Sequence, residues 1–189
     1  TTLAVSAPDC SCPVVAAPVT GGDQVLCNTG QTLTATATAG SGEVVDWYST
    51  STGGVALSTS PTLTGVGTVT YYAEARNTTT NCLSATRTEV TLTLNETPTL
   101  VINTAASCTA DLSQYTLSVD VSTGATVTST SGTVVNSSGD TWSITVVSGT
   151  DITVTSTALS GGCATTLAVS APDCSCPVVA APVTGGDQV

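Results

Sequence analysis

The stretch that opens the chain, TTLAVSAPDCSCPVVAAPVTGGDQV (1–25), recurs at 165–189 with every position identical. Two segments that shared only a fold would have diverged at their exposed Ser, Thr, Gln and Gly positions, so identity throughout points to a tandem array. Residue 165 is then residue 1 of a following copy, and one full period runs over 1–164. The sequence reads as a window on a longer protein. Thr1 is preceded by no Met, basic n-region or apolar h-region, so no signal peptide is legible and secretion has to be read from composition.

Cysteine carries the next level of organisation. One period holds six, at 10, 12, 27, 82, 108 and 163, and the start of the next copy repeats the first two as Cys174 and Cys176. Cys27 and Cys82 are separated by 55 residues, as are Cys108 and Cys163, and the two pairs are offset by 81 residues, about half the period. Each period therefore reads as two related domains of about 80 residues, with one Cys near the start and one near the last strand. Bridges 27–82 and 108–163 are expected, each worth roughly 4 kcal/mol in the chain-entropy model. They imply an oxidising, extracellular setting. Free thiols or a zinc site fit less well, because zinc wants paired Cys/His ligands and the chain has no His.

Composition narrows the partners. Arg76 and Arg87 are the only basic side chains against thirteen carboxylates, giving a net charge of −11. Nucleic acid and anionic lipid, both bound chiefly through Lys and Arg, are poor partners, and no nucleic acid is expected among them. No apolar run approaches the roughly 20 residues of a membrane helix, so no membrane insertion is expected. A positive mean hydropathy with abundant β-branched residues argues for folded strands rather than disorder.

The segments QTLTATA (31–37), TRTEVTLTL (86–94), YTLSVDV (115–121), WSITVV (142–147) and DITVTST (151–157) alternate apolar with polar residues, the period of a half-buried strand. Turn clusters such as AGSGE, NTTTN and NSSGD separate them. The expected fold is all-β, with two sandwich domains per period. Residues 1–12 would be the closing strand of a preceding repeat's second domain, 13–96 domain A, 97–175 domain B, and 176–189 a linker and the start of the next domain A. Trp47, Tyr72 and Trp142 are the expected core aromatics, with Trp47–Tyr48 and Tyr71–Tyr72 placed to pack on an inter-sheet disulfide in the immunoglobulin-like manner. Thr80 stands where the immunoglobulin tyrosine corner would be, so the likeness is one of architecture.

The stretches VVDWYSTSTGG and TVTYYAEARNTTTNCLSATRTEVTLTL resemble the Ig-like tandem repeats of giant Bacteroidota cell-surface adhesins, gliding-motility adhesins among them, in which a W-Y, G-G, T-Y-Y, C and R-x-x-V pattern recurs. Domain B followed by VSAPDCSCP is similar to the companion repeat of the same proteins. The resemblance implies type IX secretion and display as a long surface filament, and brings no catalytic residues.

Without His or Lys, no Ser or Thr hydroxyl has an evident activating base, and the acids are scattered singly. No enzyme activity is expected. Asp23, Asp173 and Glu96 lie near domain boundaries and are candidate calcium ligands, yet no stretch has the D-x-D-x-D-G spacing of a calcium loop, so no cofactor is expected. The Cys10-Ser11-Cys12-Pro13 segment, with its copy at Cys174 and Cys176, is a linker disulfide candidate: either a local bridge, or one thiol reaching a neighbouring domain. Pro13 and Pro18 hold it extended. Asn77, Asn95 and Asn136 begin N-x-S/T sequons that read first as turn residues.

The leading functional expectation is a structural stalk repeat giving reach and stiffness to a surface filament, whose partners are neighbouring repeats of the same chain and, laterally, other filaments. Two alternatives stand beside it. Each repeat could bind carbohydrate or a surface weakly and act by avidity, with Trp142 as the candidate platform, or the repeats could assemble side by side into a sheath.

Overall fold

The computed structural model describes residues 11–175. They divide between two compact units, with the boundary between Glu96 and Thr97. Every regular element among the described residues is a β-strand.

The first unit contains β1 (Val19–Thr20), β2 (Gln24–Cys27), β3 (Leu33–Thr34), β4 (Ala37–Thr38), β5 (Glu43–Tyr48), β6 (Thr62–Leu63), β7 (Gly67–Asn77) and β8 (Thr88–Asn95). Its main sheet runs in the order β2-β8-β7-β5. The β7 strand is antiparallel to both β5 and β8, whereas β2 lies parallel to β8 with Gln24 opposite Leu92 and Cys27 opposite Asn95. Alternation along β8 sends Val90, Leu92 and Leu94 inward, all at most 1% exposed. Outward-facing Thr91 and Thr93 meet Thr70 and Thr68 through hydroxyl contacts at 3.3 and 3.1 Å, cross-strand pairs that suit a solvated sheet face. The second layer is fragmentary: β3 pairs β6 and β4 pairs β1. The segment 31–37, which alternates like one strand, is thus divided between two partners, with the Ala35 amide bonded to the Pro61 carbonyl at 2.9 Å between them. Leu33, Ala35 and Trp47 close the core against Ala73, Val90, Leu92 and Leu94.

The second unit contains β9 (Leu100–Cys108), β10 (Gln114–Val121), β11 (Thr126–Ser129), β12 (Thr133–Ser138), β13 (Thr141–Val147), β14 (Ile152–Thr157) and β15 (Ala164–Val169). Two antiparallel sheets, β12-β13-β10-β9 and β11-β14-β15, face each other. Period-2 patterning fills the space between them with Tyr115, Leu117, Val119, Ile144 and Val146 from one sheet and Val127, Ile152, Val154 and Val169 from the other, in one continuous cluster. Tyr115 is fully buried, and its hydroxyl donates to the Thr150 carbonyl at 2.7 Å, so the ring enters the core with its polar tip satisfied.

β15 is the TTLAV segment. Pairing with β14 along its whole length, it supplies the last strand of its sheet. The first copy of TTLAV, and with it nearly all of the closing strand expected at residues 1–12, lies outside the described residues.

Candidate functional site

Each sandwich carries a disulfide that fastens a flanking segment to the body of the domain. Cys12, just ahead of Pro13, is bonded to Cys82, with a Cα–Cα distance of 5.6 Å and 70 residues between them. Cys108, the last residue of β9, is bonded to Cys174, again at 5.6 Å and across 66 residues. Cys27 and Cys163 are disulfide-bonded as well.

The expected pairs 27–82 and 108–163 are therefore corrected, and strand register gives the reason. Cys27 lies beside Asn95, at the end of β8 where Leu94 meets Gly67, the first residue of β7. The Cys82 carbonyl accepts from the amide of Asn77, the last residue of β7. Ten residues of strand separate those levels, about 33 Å, whereas a disulfide needs Cα atoms about 6 Å apart. In the second unit Cys108 sits opposite Tyr115 at one end, and the Cys163 carbonyl is bonded by Ala158, just beyond the far end of β14. The recurring 55-residue spacing marks corresponding positions in related domains, not bonded partners.

The packing expected around the disulfide is corrected with it. Trp47 belongs to the main core of the first unit, while Cys82 packs with Val15 and Ala75 in a separate small cluster. Alternation also exchanges the tyrosines: Tyr71 packs against the core, and Tyr72 stands on the other face, opposite Tyr48 and Glu89. Trp142 packs against the second core opposite Val119, its indole Nε1 buried without a hydrogen-bond partner among the described residues. Its partly buried ring is not presented as an open platform.

Within the W-Y, G-G and R-x-x-V pattern, Trp47 and Val90 join the core, while Tyr48, Gly53 and Arg87, scattered in sequence, converge. Arg87 donates from Nη1 to the Thr50 and Gly53 carbonyls at 2.8 and 2.7 Å, and faces the Glu74 carboxylate at 3.3 and 3.4 Å. Its guanidinium covers the Tyr48 ring. One side chain thereby fastens the turn carrying Gly53 and Gly54, whose backbones have φ of +62° and +79°. Burial first, then the hydrogen bond and charge of Glu74, raise the Tyr48 pKa, with Arg87 opposing them. A shallow cleft lined by Ser51, Thr52, Glu74 and Arg87 opens beside this cluster, but the donors of Arg87 are turned to the protein itself.

Two of the three acids named as calcium candidates are occupied with backbone. Asp23 accepts from the Thr91 amide at 2.7 Å, and Asp173 accepts from the Ser175 amide at 2.9 Å. That contact, with the Ser175 hydroxyl, lowers the Asp173 pKa. Glu96 is exposed. Among the described residues no three His, Cys, Asp or Glu side chains gather in a metal-binding arrangement. The sequon residues Asn77 and Asn136 build turns: Asn77 Oδ1 accepts from the Thr79 and Thr80 amides, and Asn136 Nδ2 donates to the Gly139 carbonyl. Asn95 ends β8.

Residues 13–95 match the family model described as "Ig-like domain CHU_C associated". No curated protein is significantly similar to the chain. Among solved structures, the chain is similar to Sidekick-1 immunoglobulin domains 1–5 (13% identity, TM-score 0.41, 86% of this chain and 40% of that one). It is likewise similar to the N-terminal eight Ig domains of Down Syndrome Cell Adhesion Molecule isoform 1.30.30 (15%, TM-score 0.43, 80% and 27%). A third similarity is to fibronectin(III)-like modules of Clostridium thermocellum CbhA (18%, TM-score 0.35, 82% and 90%). The chain thus spans less than half the length of the first two structures. No helix among the described residues is long and apolar enough to cross a membrane. The matched Ig-like domain is of a non-enzymatic kind, and disulfides in both units belong to an oxidising compartment, that of an extracellular or secreted protein. The chain is a tandem of two all-β units, the first matching an Ig-like domain over residues 13–95 and the second a β-sandwich of two facing antiparallel sheets.

Proposed function

We propose that this chain is one period of the stalk of a long extracellular adhesin, a structural repeat that supplies reach and stiffness for attachment or gliding, exported by the type IX route. The observation that carries the reading is the identical recurrence of residues 1–25 at 165–189, which makes the two sandwiches a unit of indefinite extension. The bridged, polar-faced domains suit that role, and the Arg87 cluster is spent on fold rather than chemistry. Its partners are preceding and following copies of itself. No catalytic residue, cofactor or metal is assigned.

A second reading, lateral assembly into a sheath, draws on β9. This nine-residue edge strand carries no charge, and Val101 and Ile102 are 60% and 42% exposed.

Low-dose electron imaging of the native filament separates the two. A sandwich with strands of roughly eight to ten residues is about 35–45 Å long, so a thread one domain wide repeating every 70–90 Å, about two sandwiches, supports the stalk. A thicker tube or sheet with a shorter axial rise replaces it with the sheath.

A further inference from the structure

The two copies of the Cys-Ser-Cys motif display opposite attachments. In the first copy, the motif's second cysteine, Cys12, is bonded to Cys82 of the domain that follows it. In the second copy, the motif's first cysteine, Cys174, is bonded to Cys108 of the domain that precedes it. Because the copies are identical in sequence, Cys12 and Cys174 are two different positions of one recurring element, separated within it by a single serine. The bonds do not compete.

We infer that the Cys-Ser-Cys element is a covalent coupler carrying tension past the sandwiches: its first cysteine is bolted back to one domain, its second forward to the next, so most of each domain lies outside the load path. A pull entering at Cys12 crosses directly to Cys82, and one arriving at Cys108 crosses directly to Cys174. The 70 and 66 residues spanned by those bonds are thereby shielded, which leaves only a small part of each period able to lengthen. At about 3.5 Å per fully extended residue, the remaining stretch of about 28 residues gives about 100 Å per period, against about 570 Å with the bonds open. The 55-residue pairs suggested by sequence spacing would leave nearly twice as many residues loaded. Bridges at the ends of the load path act as stays as well as staples.

Two features support a mechanical use. Cys82 packs with Val15 and Ala75 in a cluster apart from the main core, so this bridge ties the segment leading into the domain rather than reinforcing its centre. In the second unit, the Cys108–Cys174 bridge joins the end of β9 to the segment that follows β15, at the point where the chain leaves the sandwich.

Extension to a whole array rests on the tandem reading above, whereas the load path within this one chain does not, so failure of either is distinguishable. The test is single-molecule force extension of the 189-residue chain, oxidised and held by its two ends. Only about 52 residues then lie on the shortest covalent path, so full extension of about 180 Å or less is expected. Treatment with a phosphine, which reduces each disulfide to two thiols as it takes up oxygen from water, should release extension to about 660 Å. Reduction of the unaltered chain needs no substitution, so the comparison does not depend on a variant that fails to fold. An oxidised extension of about 270 Å, the value that bridges 27–82 and 108–163 would give at the same length per residue, or anything longer, overturns the coupler.

Discussion

The guanidinium carbon of Arg87 lies 3.3 Å from the centre of the Tyr48 ring. Its nitrogens meanwhile hold Glu74 and two turn carbonyls, so one cation is stacked, paired and hydrogen-bonded at once. Lysine has neither the planar face nor the fork of donors to reproduce this.

Arg87→Lys should therefore destabilise the first unit by about 3 kcal/mol, in the range for breaking a buried pair. Asp46→Asn, which breaks the more exposed Arg76–Asp46 pair at 2.6 Å, should cost under about 1 kcal/mol. Denaturant unfolding with disulfides intact, followed by tryptophan fluorescence, measures both; equal costs would contradict the assignment.

Gly132 has φ +88°, and a Cβ there would fall against the Thr145 carbonyl. Backbone and neighbour both resist a side chain, so Gly132→Ala should lower the stability of the second unit by at least about 2 kcal/mol. Gly139, also at positive φ but with open space around it, should tolerate alanine better by the same assay.

Ser156 is fully buried in β14, and its hydroxyl has no hydrogen-bond partner among the described residues. Removing an unpaired buried hydroxyl relieves a desolvation cost. Ser156→Ala should be neutral or stabilising by up to about 1 kcal/mol, and a loss of about 1 kcal/mol or more in thermal or chemical unfolding would show that the hydroxyl is satisfied after all.

Asp111 accepts from the Thr109 and Ser113 hydroxyls at 2.6 and 2.7 Å, and these bonds, Thr109's first, hold its carboxyl at about 2, below the ordinary 3.8. A depressed folded-state carboxyl contributes stability that is complete above the unfolded value and is lost as pH falls through the folded one. The contribution should thus persist at pH 5 and disappear between about pH 4 and pH 2. Carboxyl-detected NMR titration should find the Asp111 midpoint near 2, rising toward 3.8 in Thr109→Ala; a wild-type midpoint at 3.8 would refute the assignment.

Strand alternation was legible where both faces of a ladder were continuous. Val90, Leu92 and Leu94, and likewise Leu117, Val119, Ile144 and Val146, stand where period 2 puts them. It failed where the chain changes partners, as at Leu33 and Ala37, because pattern records exposure and not which strand lies alongside. Cysteine spacing revealed the kinship of the two halves but not their bonds, since equal separations are kept by topology even when the two residues sit at opposite ends of a sheet. Tyr72, expected among the core aromatics, is set on the other face by its phase with Glu74 and Arg76. The Arg87 cluster was present in the sequence as a pattern without a purpose. Only the fold shows that its members touch.

The parallel pairing of β2 with β8 gives the first sandwich a second line of resistance. Antiparallel neighbours pulled from their adjacent ends peel apart one rung at a time. Parallel strands drawn in opposite directions must slide, and the rungs from Gln24–Leu92 to Cys27–Asn95 then resist together. Such rungs share load instead of breaking in turn, so a pull that draws β2 along β8 should meet abrupt yielding at high force rather than creep.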